Sequence, residues 1–291
     1  MIVSSRLQDA GIDYVRLTSA TTSGAVALRD FYCKIRDADK VAGYKEAKGG
    51  AFGFVGDKTR HALYGVKEGW TMLQVSGAAA KRSSLLAAFD TQCTRLDLQL
   101  TYRVEADSVG DAMEDIYMSL VHTKKAACRP RRVTRIQQGY ATQTIYVGSR
   151  ASDVFIRIYD KYEESGKEEH KDCIRFELEL KGRVSKAVWR KLQNNETTLG
   201  RMLHMVHSEC ERAGVEMPTD TISEDVSLIP SREATPIERT RDWLAVMLPK
   251  AVARVSAEFG HYSVLRMLFS QTFDDYYMSG IIKLLSVTSG S

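Results

Sequence analysis

The sequence predicts an α+β fold: a central antiparallel sheet with helices packed on one face, plus a C-terminal helical unit. Three observations carry this. Four strand-like segments, "RVTRIQQG", "ATQTIYVGS", "DVFIRIYDKY" and "CIRFELELKG", follow one another with turn or loop residues between them, which is the spacing of an antiparallel meander. Segments with a helical apolar stripe stand before and after that meander. Three of the five prolines, Pro218, Pro230 and Pro236, gather in one stretch, a linker signature. The expected organisation is a main domain over 1–215, a linker over 216–237 and a helical region over 238–291.

Taken in order, "DYVRLTSAT" reads as the first strand and "GAVALRDFYCKIRDA" as a helix. "GAFGFVGD", "HALYGVKEG" and "TMLQVSGAA" are glycine-bounded strands, and "KRSSLLAAFDTQ" is a short helix. "CTRLDLQLTYRVE" alternates: Leu96, Leu98 and Leu100 point one way, Arg95, Asp97, Gln99 and Thr101 the other. "DSVGDAMEDIYMSLVHTKK" is an amphipathic helix with Asp107 or Ser108 as its cap, and Met113, Ile116, Tyr117, Leu120 and Val121 as its stripe. Its acidic start and basic end complement the helix dipole. After the meander, whose last turn is a polar loop over 163–171, come two helices, "SKAVWRKLQNN" and "TLGRMLHMVHSECERAG", the second stopped by Gly214. "IERTRDWLAVMLPKAVARVSAEFG" and "HYSVLRMLFSQTFDDYYMSGIIKLLSV" form the C-terminal unit. No internal repeat is visible.

The 291 residues, 44% of them hydrophobic, suffice for a full core. No apolar run reaches 18 residues, so no membrane span is expected. The N-terminus has no basic stretch followed by an apolar one, so no secretory signal is expected. The five cysteines, Cys33, Cys93, Cys128, Cys173 and Cys210, are scattered and odd in number, which suits a reducing cytoplasm better than disulfides or a zinc ribbon. There is no Walker A motif and no Gly-x-Gly-x-x-Gly, which argues against nucleotide-driven chemistry. No His-hydrophobic-His motif exists to hold a metal.

The net charge is only +4, but its distribution is uneven. From Ile116 through Ser152 there is no Asp or Glu, while Lys124, Lys125, Arg129, Arg131, Arg132, Arg135 and Arg150 are basic. A block of one sign suits phosphate binding; a solvated basic loop is the plainer alternative. These seven residues are the expected DNA contacts, with affinity falling steeply as salt rises.

The chemistry is expected on the polar face of the strands. In "CIRFELELK", Ile174, Phe176, Leu178 and Leu180 share one face and Arg175, Glu177, Glu179 and Lys181 the other. In "VFIRIYDK", Ile156 and Ile158 oppose Arg157, Tyr159 and Lys161. Asp97 belongs to the polar face of its own strand. Placed side by side, Asp97, Glu177 and Glu179 repel one another unless a cation stands between them. Mg²⁺ or Mn²⁺ is the expected cation, with open positions for a phosphate oxygen. Arg157 and Lys161 would orient or neutralise that phosphate. The alternative is a solvent-facing sheet with charged cross-strand pairs. His204 and His207 stand one helical turn apart, and a packing or surface role suits them better. "GSRAS" is a hairpin turn or a phosphate-contacting loop.

"CTRLDLQL", "TIYVGSRASDVFIRIYDK" and "IRFELELKG", in that order and with "TMLQVSGAAAKR" upstream, resemble the phage and plasmid replication initiation factor family (Rep_trans) over about residues 10–215. The resemblance implies a rolling-circle initiator or related relaxase. Such proteins bind a double-strand origin and nick one strand. A tyrosine attacks the phosphate, which leaves a 5′-phosphotyrosine link and a free 3′-OH. A divalent metal assists. It implies Asp97, Glu177 and Glu179 as metal ligands, and as partners origin DNA (single-stranded or supercoiled), a host helicase and a second copy of the chain. Family members of the small-plasmid branch carry the nucleophilic tyrosine in the helix after the paired-Glu strand. Here that helix holds Trp189 and no tyrosine. Tyr159 is the substitute this sequence offers first, with Tyr146 and Tyr162 behind it. The second acidic residue after the Arg-x-Asp strand is also missing, with Thr101 near its place. Two other functions remain: a metal-dependent nuclease using water, suggested by Glu179-Leu180-Lys181, and a non-catalytic origin-binding or regulatory protein, suggested by the missing tyrosine.

Overall fold

The computed structural model describes residues 5–105, 109–122, 132–138 and 141–218. The cap at Asp107 or Ser108, the basic residues Lys124, Lys125, Arg129 and Arg131, most of the linker and the helical region 238–291 lie outside the described residues. The elements are β1 (Ser5–Ser19), α1 (Thr22–Val41), β2 (Ala47–Ala51), β3 (Phe54–Lys58), β4 (Ala62–Lys67), β5 (Trp70–Ser76), a 3-10 segment (Gly77–Ala88), β6 (Gln92–Val104), α2 (Val109–His122), β7 (Val133–Gln138), β8 (Ala141–Val147), β9 (Val154–Asp160), α3 (Lys161–Ser165), β10 (Cys173–Lys181), α4 (Gly182–Gln193) and α5 (Leu199–Ala213).

All ten strands form one sheet in the order β2-β3-β4-β5-β1-β6-β10-β9-β8-β7, and every pairing is antiparallel. The α+β class with a central antiparallel sheet is therefore what the chain adopts. The order also reveals a duplication of topology that the residues conceal. A long strand, a helix and a four-strand meander pairing back onto the long strand occur twice, as β1-α1-β2-β3-β4-β5 and as β6-α2-β7-β8-β9-β10. The halves join where β1 pairs with β6.

Alternation does the folding. Val15 and Leu17 of β1, Leu96, Leu98 and Leu100 of β6, and Ile174, Phe176, Leu178 and Leu180 of β10 are buried in one core. Leu28 and Tyr32 of α1, Met113 and Ile116 of α2, Trp189 of α4 and Met202, Leu203 and Val206 of α5 join that core, so these four helices cover one face of the sheet. Thr21 caps α1 by accepting from the Gly24 amide, and Gly214 in the left-handed conformation ends α5. Three local expectations change. β2 was not foreseen, because its alanines, lysine and glycines carry no strand propensity. "KRSSLLAAFDTQ" lies largely in the 3-10 segment rather than in an α-helix. The loop over 163–171 contains most of α3 and a 3-10 turn, Glu168–His170.

Two irregularities shape the opposite face. Ile12 pairs with Leu98 and Tyr14 with Asp97, so one extra residue enters β1 there. Ile12 and Val15 both face the core, which leaves the bulged pair Asp13 and Tyr14 for the polar face. The other irregularity is a curl. Phe52, in the β2–β3 turn, lies with its ring centroid 3.8 Å from the Arg16 guanidinium of β1. In a flat sheet β2 and β3 would stand about 14–19 Å from β1. The first meander must therefore bend over the polar face. Gly49, Gly56 and Gly65 face one another across β2, β3 and β4, and a Cβ on Gly56 would fall 1.8 Å from the Tyr64 carbonyl oxygen. Only glycine allows that approach.

Candidate active site on the polar face of the sheet

Face-sorting of the strands holds. β10 lies between β6 and β9, with Glu179 beside Asp97 and Glu177 beside Arg157. Asp97, Glu177 and Glu179 therefore come together, with Arg157 among them. They do not line an open surface, as alternation alone suggested. Asp97 is 0%, Glu177 1% and Glu179 8% exposed.

Buried like charges need a neutralising partner, and here arginine supplies it. Arg95 donates from Nε to Asp97 Oδ1 at 2.9 Å and from Nη2 to Oδ2 at 2.6 Å, a bidentate pair. The same Nη2 stands 2.8 Å from Glu179 Oε2. Arg157 Nη2 lies 2.8 Å from Glu177 Oε2 and 3.4 Å from Asp97 Oδ2. Lys181 Nζ lies 2.7 Å from Glu179 Oε1. Behind this group Arg175 pairs with Asp13 at 2.9 Å and donates to Thr101 Oγ1 at 2.9 Å. Burial raises the proton affinity of Asp97, against the pull of Arg95. Burial also pushes the Glu177 carboxyl well above the ordinary carboxylate value; Arg157 opposes this, and Asp13 and Asp97 add to it.

The expected divalent ion meets a mixed result. Three carboxylates supply the hard oxygen donors that Mg²⁺ or Mn²⁺ takes. As arranged, however, guanidinium or ammonium groups hold the oxygens, and no three acidic, His or Cys side chains among the described residues are grouped to hold an ion. The arrangement does not fit a resident metal, because an ion bridging Asp97 and Glu179 would have to displace Arg95.

Beside this cluster opens a cavity of about 270 Å³ lined by Arg95, Arg150, Phe155, Arg157, Glu179 and Lys181. Arg95, Arg157 and Lys181 are paired with the three carboxylates, and Arg150 is the lining cation with no carboxylate partner among the described residues, which leaves the cavity a net positive wall. The Arg157 Nε donor has no hydrogen-bond partner among the described residues. Tyr146 stands at the rim: its ring stacks on Phe155 at 5.7 Å, and the Arg150 guanidinium lies 5.2 Å from its centroid.

The other expected site residues are placed less centrally. Tyr159 shares the polar face, opposite Arg175, but does not line the cavity. Burial and the Glu177 charge raise its phenol pKa far above the ordinary value. Lys161 opens α3 and bonds Glu164, with its ammonium 5.7 Å from the Tyr159 centroid. Tyr162 is an exposed residue of α3. Arg135 turns to the helix face, where it pairs with Glu114 of α2 at 2.7 Å and lies 4.1 Å from the Tyr117 centroid. Arg132 is exposed at the start of β7. His204 and His207 stack on each other along α5, and His207 lies 3.5 Å from Glu211. Trp189 sits in the core and donates from Nε1 to Thr91 Oγ1 at 3.0 Å, so its helix turns this side chain away from the carboxylates.

Asp13 and Tyr14 were missed, because a bulge is invisible to strict alternation. Arg95 and Arg175 had been sorted to the correct face but given no role. The signal available for them was the one used for the acids: charged residues at period two on strands whose other face is core.

A proton held more tightly in the folded than in the unfolded chain makes stability fall as pH rises between the two pKa values. Glu177 should therefore make the fold progressively less stable above the ordinary glutamate pKa of about 4.3, until its raised folded value is passed. Glu177→Gln should flatten that decline, read as Tm against pH. Parallel Tm–pH curves for the two proteins would contradict it.

The replication initiation factor family model matches residues 91–268. A solved structure described as a rolling circle replication initiator protein from Geobacillus stearothermophilus is 14% identical, with a TM-score of 0.48 over 74% of this chain and 90% of that chain. No curated protein matches the sequence.

Proposed function

The chain belongs to the replication initiation factor family, and from that premise we propose that it starts rolling-circle replication by nicking one strand of its origin. The observation that carries this reading is the cavity lined by Arg95, Arg150, Arg157 and Lys181. Arg150, which has no carboxylate partner among the described residues, can hold a strand phosphate, and Arg95, Arg157 and Lys181 beside it can offset the charge that grows on its oxygens as a nucleophile attacks. The buried carboxylates are then the support that fixes Arg95 and Arg157 in place. Arg95 is held as a bidentate fork on Asp97, and little orientational freedom remains to be lost when DNA binds.

A tyrosine oxygen attacks phosphorus, the P–O3′ bond breaks, and the proton the phenol gives up is carried away, directly or through water, on the 3′-oxygen, which leaves as a hydroxyl. Tyr146 suits this role better than Tyr159. It packs on Phe155 and Arg150, both walls of the cavity, whereas Tyr159 does not line the cavity, and burial and Glu177 raise its pKa, which makes the phenolate harder to form.

The test is to incubate the protein with labelled single-stranded origin DNA and Mn²⁺ and to map any DNA–peptide adduct by mass spectrometry. An adduct is expected on Tyr146, lost in Tyr146→Phe and kept in Tyr159→Phe. An adduct elsewhere overturns the choice of tyrosine. Cleavage without an adduct indicates the water-using nuclease. Binding without cleavage indicates the non-catalytic origin-binding protein, a reading favoured by the charge balance that Arg95, Arg157 and Lys181 already achieve around the three carboxylates.

A further inference from the structure

The nicking site uses the polar face of the second half of the sheet, and the equivalent face of the first half has no role yet. Cross-strand register sorts its residues. Arg16 of β1 pairs with Gln74 of β5, which pairs with Leu63 of β4, which lies in register with Lys58 of β3. Arg16 donates from Nη2 to Gln74 Oε1 at 3.2 Å, which confirms the shared face. Two residues along each strand lie Gly65 and Lys67 on β4, Met72 and Trp70 on β5, and Gly56 and Phe54 on β3. The polar-face positions of β2, β3, β4 and β5 include no Asp or Glu. Asp57, the acid within these strands, pairs with Tyr64 on the helix face.

The cations here have different surroundings from those of the nicking site. Lys58 and Lys67 are exposed and have no carboxylate partner among the described residues. Trp70, directly across from Lys67, is 38% exposed, and Phe52 is 71% exposed above Arg16. Arg16 is also in register with Arg95. A line of positive charge therefore runs from Lys58 and Lys67 through Arg16 to Arg95, Arg157 and Lys181, and aromatic rings stand open along its first half.

We propose that this curled, acid-free face of β2, β3, β4 and β5 is a track for single-stranded DNA leading into the nicking site, with Lys58, Lys67 and Arg16 on phosphates and Trp70 and Phe52 under bases. The occupant is a single strand, because exposed rings stack on unpaired bases and duplex DNA has none to offer. The glycine ladder of Gly49, Gly56 and Gly65 lets the meander curl tightly, with Gly65 and Met72 buried beneath it, so the strand runs over the exposed Lys58, Lys67, Trp70 and Phe52. The inference rests on the nicking reading for where the strand leads, and it has its own readout.

The experiment measures binding of a fluorescein-labelled oligothymidylate of about 20 nucleotides by anisotropy across a salt series. Lys58→Glu with Lys67→Glu should weaken binding at least tenfold. The double variant should also flatten the log–log salt slope by about 1.4, since each single-strand phosphate contact contributes about 0.7. Trp70→Ala should weaken binding about tenfold and leave the salt slope unchanged, as expected for lost stacking. All three positions are exposed, and circular dichroism should confirm intact folds. Wild-type affinity and slope in both variants overturns the track, as does a wild-type protein that fails to bind the oligonucleotide. If the origin adduct forms but these variants bind normally, the track falls and nicking stands. If they lose binding and no adduct forms, nicking falls and the track stands.

Discussion

Asp97→Ala is expected to cost about 3 kcal/mol of stability and to empty the proposed nicking site of its order. The carboxylate is wholly buried and holds both ends of the Arg95 fork, at 2.9 and 2.6 Å, with Arg157 at 3.4 Å. Removing one partner of a buried pair leaves the other charge uncompensated, which costs roughly 3–5 kcal/mol. The lower end applies here, because Arg95 keeps 25% of its side chain exposed and retains Glu179 at 2.8 Å. At about 2–4 °C per kcal/mol for a domain of this size, Tm should fall by roughly 6–12 °C. Adduct formation should disappear even at temperatures where the variant is folded, since Arg95 is no longer aimed at the cavity. Calorimetry and the adduct assay together check this. A Tm within about 2 °C of wild type would show that Asp97 is not the anchor of the cluster.

Trp189→Ala is expected to be as damaging for a different reason. Trp189 is fully buried between α4 and the sheet, and its Nε1 donates to the buried Thr91 hydroxyl. Truncating a buried tryptophan costs about 3–5 kcal/mol through the cavity it leaves. Trp189→Phe keeps most of the volume and loses the hydrogen bond, a smaller penalty of about 1–3 kcal/mol. Urea unfolding should rank the three proteins in that order, and an alanine variant as stable as wild type would contradict the packing account. The same geometry predicts that Trp189→Tyr does not supply a nucleophile: a phenol at this position meets the core, on the other side of the sheet from the cavity.

Much of this was legible along the chain. The alternation of Leu96, Leu98 and Leu100 against Arg95, Asp97 and Gln99, and of Phe176 and Leu178 against Glu177 and Glu179, identifies strands, core face and polar face together, because a side chain's face in a strand depends on parity alone. That was enough to bring three carboxylates and Arg157 to one place. The spaced blocks around Asp97, Tyr159 and Glu177 carried the family resemblance, and the family model matches from residue 91 onward.

Other features depend on neighbours remote in sequence. Arg95 and Arg157 stand among the carboxylates that were expected to share an ion, because which cation lies beside buried acids is decided by side-chain reach across three strands. Asp13 joins the site through a bulge, a local break in the parity rule that the sequence does not mark. The burial of Asp97 and Glu177, and with it their raised proton affinity, comes from the surrounding fold rather than from residue type. Tyr146 gains its place beside the cavity through Phe155 and Arg150. The two-fold repetition of strand, helix and meander left no trace in the residues, since topology survives sequence change as long as each strand keeps one apolar face. The sequence by itself determined which residues face the core and which face the chemistry. Only the tertiary structure decided what those polar residues hold, because pairing, curl and burial are set by strands that meet from distant parts of the chain.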